Sequence, residues 1–314
     1  MSKAFNETTL MVRKPALEIM DCVRNTDFSH PTIRYLLYGR NGAGKTCTLV
    51  HLMHFCGKQD WLVVYVPWCT TFLRHWRDYQ TSTFKPGRID LPLDSALWLS
   101  KFKATNSSFL TSLNPVTRHR YVWTKRDTSE IGTPWSELIE FGLARVKYAN
   151  DVIGVLVKEI KEHASEGEFK TLVAMDGVNA FWAPFSTIVV EEDTHKRHPP
   201  SNISLICHMK KLLKNDWNGG VSIATVDVNA GDLQRADSYL PRYLLGKEGF
   251  DHLQPFIPVH VPDYSEKEIN SCLDYYLERK WLQNPHASTE DGRKEIIALS
   301  NYNPRELYNT CKAW

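Results

Sequence analysis

Short, continuous apolar runs recur along most of the chain, at Ile33–Tyr38, Trp61–Val66, Leu172–Met175, Val221–Val226 and Phe256–His260. Runs of this length without polar alternation predict strands covered on both faces, as in a parallel sheet. Between them the apolar residues follow helical spacing. Leu17, Met20 and Val23 mark a short amphipathic helix that Pro15 opens and that ends before Asn25. Thr48 to Phe55 reads as a second helix, and Ile203 to Lys214 as another. Ile139, Leu143, Val146, Ile153, Val157 and Ile160 keep a single stripe, so one long helix is expected from Thr133-Pro134 to about His163, with Thr133 as its N-cap. Residues 265–314 carry helical spacing alone, through Ile269, Leu273, Tyr276, Ile296 and Leu299.

Strands alternating with helices, followed by an all-helical tail, predict an α/β fold: a doubly wound parallel sheet of about five strands with a C-terminal helical lid. The expected division is an α/β unit over residues 1–262 and a lid over 263–314. Two stretches break the pattern. Residues 68–132 are irregular and too long for an ordinary connection, which suggests an insertion with short helices of its own. Glu191 to Ser201 is polar, and a mobile, exposed loop is expected there.

Chemistry enters directly after the first apolar run. Gly39-Arg40-Asn41-Gly42-Ala43-Gly44-Lys45-Thr46 matches G-x-x-x-x-G-K-[ST], the phosphate-binding loop of P-loop NTPases, and leads into a helix through Cys47. Glycines let successive backbone N–H groups face a phosphate, and Lys45 reaches the β/γ-phosphates. The Thr46 hydroxyl joins a Mg²⁺ shell, and the helix N-terminus favours the anion. Such a loop needs a carboxylate on a neighbouring strand to hold the metal; Asp176, ending its apolar run, is the candidate. AAA-like ATPases usually follow this Asp with a Glu that activates water. Here Gly177 follows, so no general base is visible and hydrolysis is expected to be slow or absent. No catalytic residue is assigned. Thr225, near the end of the fourth apolar run, and Arg305, at the start of the last helix, hold the positions of polar sensors in AAA-like folds; a local strand hydrogen bond and an ordinary surface arginine are the alternatives. Thr124-Lys125-Arg126-Asp127 fits the [NT]-K-x-D guanine signature, but it precedes Asp176 instead of following it and is read as accidental.

Composition changes this picture little. The 42% apolar and 24% charged fractions of the 314 residues are those of an ordinary globular chain, and the net charge of +2 does not by itself indicate nucleic-acid binding. No run approaches the ~18 apolar residues of a membrane span, so no membrane partner is expected. Seven scattered cysteines without C-x-x-C spacing suit free thiols in a reducing compartment. The N-terminus carries no convincing targeting segment. Within the insertion, Lys101, Lys103, Arg118, His119, Arg120, Lys125 and Arg126 alternate with Phe102, Phe109, Tyr121 and Trp123. Two readings stand: a surface that grips RNA phosphates and stacks bases, or a solvated loop anchored by buried rings.

Several stretches are more specific than a phosphate loop. Leu10-Met11-Val12-Arg13-Lys14-Pro15-Ala16-Leu17-Glu18, Arg34-Tyr35-Leu36-Leu37-Tyr38-Gly39, His54-Phe55-Cys56-Gly57-Lys58-Gln59-Asp60-Trp61, Lys214-Asn215-Asp216-Trp217, Leu244-Leu245-Gly246-Lys247-Glu248-Gly249-Phe250-Asp251 and Pro255-Phe256-Ile257-Pro258 resemble the death-associated protein 3 family over nearly the whole chain. The resemblance implies an AAA-like or STAND-type P-loop domain that binds GTP or GDP with Mg²⁺ in the small subunit of the mitochondrial ribosome. It implies contacts with small-subunit rRNA, with neighbouring mitoribosomal proteins and in bridges to the large subunit, in the mitochondrial matrix, and a link to apoptosis signalling. Gly39 to Thr46 carry over as the nucleotide site and Asp176 as the residue near the metal. Family members extend upstream of the segment matching Leu10, and an import sequence would lie there. The alternative function is a catalytic AAA-like or STAND switch cycling on ATP or GTP.

Overall fold

The apolar runs pair side by side in a computed structural model that describes residues 7–82, 84–191, 196–231 and 237–313. Five strands, β1 (Ile33–Tyr38), β2 (Leu62–Val66), β3 (Thr171–Met175), β4 (Gly220–Thr225) and β5 (Ile257–His260), form one sheet in the order β5-β1-β4-β3-β2. Every neighbouring pair is parallel, with Tyr35 opposite Ile223 and Ile257, and Leu172 opposite Val221 and Val63. Parallel pairing requires crossovers, and the helices that supply them cover both faces.

On one face, α1 (Lys14–Arg24) and α2 (Lys45–Gly57) bury Ile19, Val23, Leu49 and Leu52 against Tyr35, Leu37, Leu172 and Ile223. On the other, Leu36, Val64, Val173 and Met175 meet α3 (Pro92–Thr105), α4 (Trp135–Ala144), α5 (Ala149–Ser165), α6 (Ser204–Leu212) and α7 (Pro241–Leu253). The period of two along each strand sorts these side chains to opposite faces. Each fully buried aliphatic side chain contributes about 1.5–3 kcal/mol of transfer free energy, so this double burial is the main support of the sheet.

Four expectations change. The stripe from Ile139 to Ile160 belongs to two helices: the backbone leaves helical angles at Arg145 (φ −120°, ψ 72°), and a 3₁₀ turn over Val146–Tyr148 joins α4 to α5. Both helices face one core, so the apolar spacing runs through the break. Arg145 is held there by an ion pair to Asp127 at 2.6 Å and lies over the Phe141 ring. Thr133 does not cap α4, because its hydroxyl donates to the Glu130 carbonyl at 2.7 Å. The irregular 68–132 stretch contains α3, a layer helix 14 residues long that buries Trp98, Leu99 and Phe102. Finally, Glu191 to Ser201 is not simply an exposed loop: Val189–Glu191 pairs with Lys196–Arg197, and Pro200 is buried. Glu192 to His195 lie outside the described residues.

The helices of the C-terminal segment, α8 (Glu266–Glu278), α9 (Glu290–Ser300) and α10 (Pro304–Ala313), share a separate core of Ile269, Leu273, Tyr276, Ile296 and Leu307. A capping box starts α8: Ser265 Oγ accepts from the Glu268 amide at 3.3 Å, and Glu268 Oε2 accepts from the Ser265 amide at 2.8 Å. No described helix is long and apolar enough to cross a membrane.

Candidate nucleotide site

The loop from Gly39 to Thr46 turns at the C-terminal end of β1, where open α/β sheets place their ligands. Lys45 and Thr46 start α2. The Lys45 ammonium is 4% exposed and donates to the Gly39 and Arg40 carbonyls, both at 3.0 Å. It also lies 3.1 Å from Asp227 Oδ2.

Asp176 follows β3 directly. Its carboxylate accepts from the Thr46 hydroxyl at 2.7 Å and from the Thr225 hydroxyl at the end of β4, which itself accepts from the Gly177 amide at 2.9 Å. Thr46, Asp176 and Thr225, chosen separately from sequence, therefore meet in one hydrogen-bonded group. Burial pushes the Asp176 carboxyl above its ordinary range, and nearby Asp227 adds to this, against the hydroxyls of Thr225 and Thr46 and the charge of Lys45. Hydroxyl and carboxylate oxygens are hard donors, the set that suits Mg²⁺.

Gly177 explains the absence of a base after Asp176. Its φ of +71° is left-handed, and a Cβ there would lie 2.8 Å from Trp68 Cζ3 and 2.9 Å from Ala230 Cβ. A glutamate at this position would be strained and sterically opposed.

The C-terminal helices close on the loop from the other side. Arg305, in the first turn of α10, donates to Asn41 Oδ1 at 2.8 Å, and its amide donates to the Gly42 carbonyl at 3.3 Å. Asn303 Nδ2 donates to the Asn41 carbonyl and to Asp263 Oδ1, both at 2.9 Å, while Arg40 pairs with Asp263 at 2.8 Å. Gly42 makes this approach possible: a Cβ there would stand 2.4 Å from Asn303 Oδ1 and 2.8 Å from Arg305 Cβ.

Three residues of the site went unnoticed in the sequence. Asp227 lies just past β4, and its backbone is held by Asn179 through two 3.0 Å hydrogen bonds. Its position beyond a strand's C-terminal end, two residues after Thr225, was an available signal. Asn303 had none. Arg13 is 6% exposed and joins three parts of the molecule: it donates to the Ala43 carbonyl at 2.7 Å and the Pro262 carbonyl at 2.9 Å, and pairs with Glu268 at 2.9 Å. A cavity of about 430 Å³ opens beside the loop, bounded by Cys47 and His51 of α2, Leu10 of the N-terminal segment, and the lid rings of Tyr264, Tyr275 and Tyr308. Thr124 and Asp127 are elsewhere, closing a turn on each other, so the guanine-like motif is a hairpin turn.

A strand (β4) set between the phosphate-loop strand and the strand ending at Asp176, with the loop and lid described above, defines a P-loop NTPase of AAA-like architecture. A family model described as "Mitochondrial ribosomal death-associated protein 3" matches residues 10–310, and the chain belongs to that family. It is 45% identical over 311 residues to the small ribosomal subunit protein mS29 of Bos taurus, an alignment covering 98% of this chain and 77% of that protein. To mS29 of Mus musculus it is 44% identical over 309 residues, covering 98% and 78% respectively. A crystal structure of Cdc6p from Pyrobaculum aerophilum aligns with 99% of this chain and 63% of its own at a TM-score of 0.40 and 13% identity, a likeness too loose to add to the topology above.

Proposed function

We propose that this chain is a structural, GTP-binding component of the small subunit of the mitochondrial ribosome, acting in the mitochondrial matrix beside small-subunit rRNA, neighbouring ribosomal proteins and the bridges to the large subunit. Residues 1–262 serve as the nucleotide-binding unit and 263–314 as its lid. The name of the relatives, small ribosomal subunit protein mS29, supports the placement.

The observation that carries the structural role is Gly177: its left-handed backbone and the Trp68 and Ala230 contacts leave no room for a water-activating side chain. In this reading Gly39 to Cys47 cradle the nucleotide, with Lys45 on the phosphates. Thr46 and Asp176 hold Mg²⁺, which neutralises phosphate charge. Thr225 fixes the Asp176 carboxylate, and Arg305 reaches the loop from the lid. A ligand that binds only the folded chain adds about 2.7 kcal/mol of stability at a hundredfold excess over Kd. The contact of Arg305 with Asn41 favours the second reading, a switch whose lid responds to nucleotide turnover.

Denaturing the purified chain and chromatographing what it releases separates the two. About one intact GTP per chain is expected for the structural role. ADP, or a site that turns over added ATP, would establish the switch. Lys45→Ala should weaken folding or ribosome incorporation in the first case; in the second it should abolish turnover in a chain that still folds.

A further inference from the structure

A second cavity lies outside the phosphate site and shares no lining residue with it. It measures about 910 Å³, within the range of roughly 300–1,000 Å³ typical of ligand sites. Its walls are α5, the end of α6 with the turn after it, and the hairpin formed by Tyr121–Val122 and Thr128–Ser129.

Three features of this cavity differ from an ordinary surface groove. Tyr121, Trp123, Tyr148 and Phe84 line it, and Phe84 is 85% exposed at its edge. Trp123 is fixed by a 2.9 Å hydrogen bond from Nε1 to Ser129 Oγ and by packing on Phe141 with ring centroids 5.2 Å apart. The second feature is charge. Lys158, Lys161 and Lys211 face the cavity, and Arg88, Lys161 and Lys214 crowd Lys211 electrostatically. Lys161 pairs with Asp216 at 2.6 Å and Lys158 more loosely with Glu162 at 3.8 Å, whereas Lys211 has no ion pair among the described residues. Of the other three acids on the wall, two are engaged and the third has its pKa raised by burial. Glu162 also bonds His119 at 2.8 Å, Glu166 pairs with Arg118, and burial with Asp90 nearby pushes Asp151 up to about 6. The third feature is polar. His208 fills a notch that Gly154 leaves in α5, where a Cβ would lie 2.7 Å from His208 Cε1. Its Nδ1 is buried without a hydrogen-bond partner. Burial, with Lys211 and Arg88 adding to it, pushes His208 down to about 3, so its ring is neutral, with one nitrogen able to donate and the other to accept.

An aromatic wall, a polar floor with an unused ring nitrogen and Lys211 at the rim match the face of a base, its polar edge and its phosphate. We infer that this cavity receives an unpaired nucleotide of single-stranded RNA, the base against the Tyr121–Trp123 wall with its edge toward His208 and the phosphate toward Lys211. The basic, aromatic-studded insertion thus divides. Phe102 and Phe109 belong to the core, and Arg118, His119 and Arg120 are tied to Glu166, Glu162 and Glu130. Tyr121 and Trp123, the other two rings of that basic stretch, face the cavity.

Fluorescein-labelled decamers of oligo(A) and oligo(U) test this with the whole chain, titrated at about 50 to 200 mM KCl. Both should bind. Phe84→Ala and Trp123→Ala should each weaken binding about tenfold, the usual scale for losing one base-stacking ring. Lys211→Glu, an exposed change that should leave the melting temperature alone, should also weaken it and flatten the salt slope by about 0.7 for each phosphate no longer neutralised. The parent chain should bind the decamers alike with and without added GTP, so failure of the GTP reading leaves this result legible. The inference is overturned by decamers that do not bind or that bind Phe84→Ala and Lys211→Glu undiminished. It is equally overturned if oligoglutamate displaces RNA at matched charge, which marks an acidic-peptide groove, or if free AMP or UMP binds as tightly as the decamers, which marks a mononucleotide pocket.

Discussion

Gly42→Ala tests whether the C-terminal helices are seated on the phosphate loop or merely near it. The position combines two penalties. Its φ of +83° costs an L-residue about 1–2 kcal/mol. The new Cβ also stands 2.4 Å from Asn303 Oδ1, so Asn303 must move. Asn303 donates to the Asn41 carbonyl and Asp263 at 2.9 Å and accepts from the Arg305 and Glu306 amides at 3.1 and 3.3 Å. Losing these four partly buried bonds, at about 0.5–1.5 kcal/mol each, adds roughly 2–4 kcal/mol once solvent takes over some of them. Gly167→Ala supplies the control: its φ is +80°, yet a Cβ there meets nothing within 4 Å, so only the backbone penalty applies. Urea unfolding should therefore show Gly42→Ala at least about 2 kcal/mol less stable than Gly167→Ala. Hydrogen exchange should speed up in a peptide spanning residues 300–313 for Gly42→Ala alone. Equal unfolding midpoints and unchanged exchange would show that the lid is not seated on Gly42.

Further expectations concern the rest of the scaffold. Gly177→Glu places a base after Asp176 but must adopt φ near +71° against Trp68; a lowered melting temperature with no gain in GTP or ATP turnover is expected, and turnover appearing at undiminished stability would refute the steric account. Asn106, buried beside the edge strand β2, satisfies the Val63 amide and carbonyl at 2.8 and 2.9 Å, so Asn106→Ala should cost about 2–4 kcal/mol in urea unfolding. Burial opposes charge on His163, but its hydrogen bonds to Glu159 and Glu168 outweigh it, and its pKa lies above the ordinary value. The stability from this charge is complete below the unfolded pKa near 6.5 and is lost as pH rises through the raised folded value. Melting temperature measured from pH 6 upward should thus fall, and His163→Gln should flatten the curve; equal slopes would count against the Glu168 pair.

What the sequence revealed was local. The phosphate loop, Asp176 and Thr225 each lie at the end of an apolar run, and the strand that ends there carries them to one sheet edge. Arg13 and Asn303 have no such marker, because their roles exist only once distant segments meet. The break at Arg145 was hidden for a different reason: α4 and α5 bury their stripes in one core, and spacing alone does not register a change of direction. Helix α7 escaped notice because Gly246, at φ +63°, interrupts its turns and its apolar rhythm. Aromatic residues were the least legible. Phe102 and Trp123 look alike in a basic stretch, and only the third dimension sends one to the core and the other to a cavity.

Arg13 also fixes the order in which the molecule is completed. Its bond to Glu268 joins residues 255 positions apart, and Asn303 meets Asn41 across 262. During synthesis, Gly39 to Thr46 emerge early and wait for almost all of the remaining chain before the last of their supports arrives. Sheet pairing imposes the same delay, since β1 is flanked by β4 and β5, both from the later half. Contacts of such long separation form late and slowly. A chain cut short before residue 303 therefore holds the phosphate loop with its Arg13 and Asp263 contacts but without Asn303 and Arg305, and the full clasp is assembled only once translation has run at least as far as Arg305.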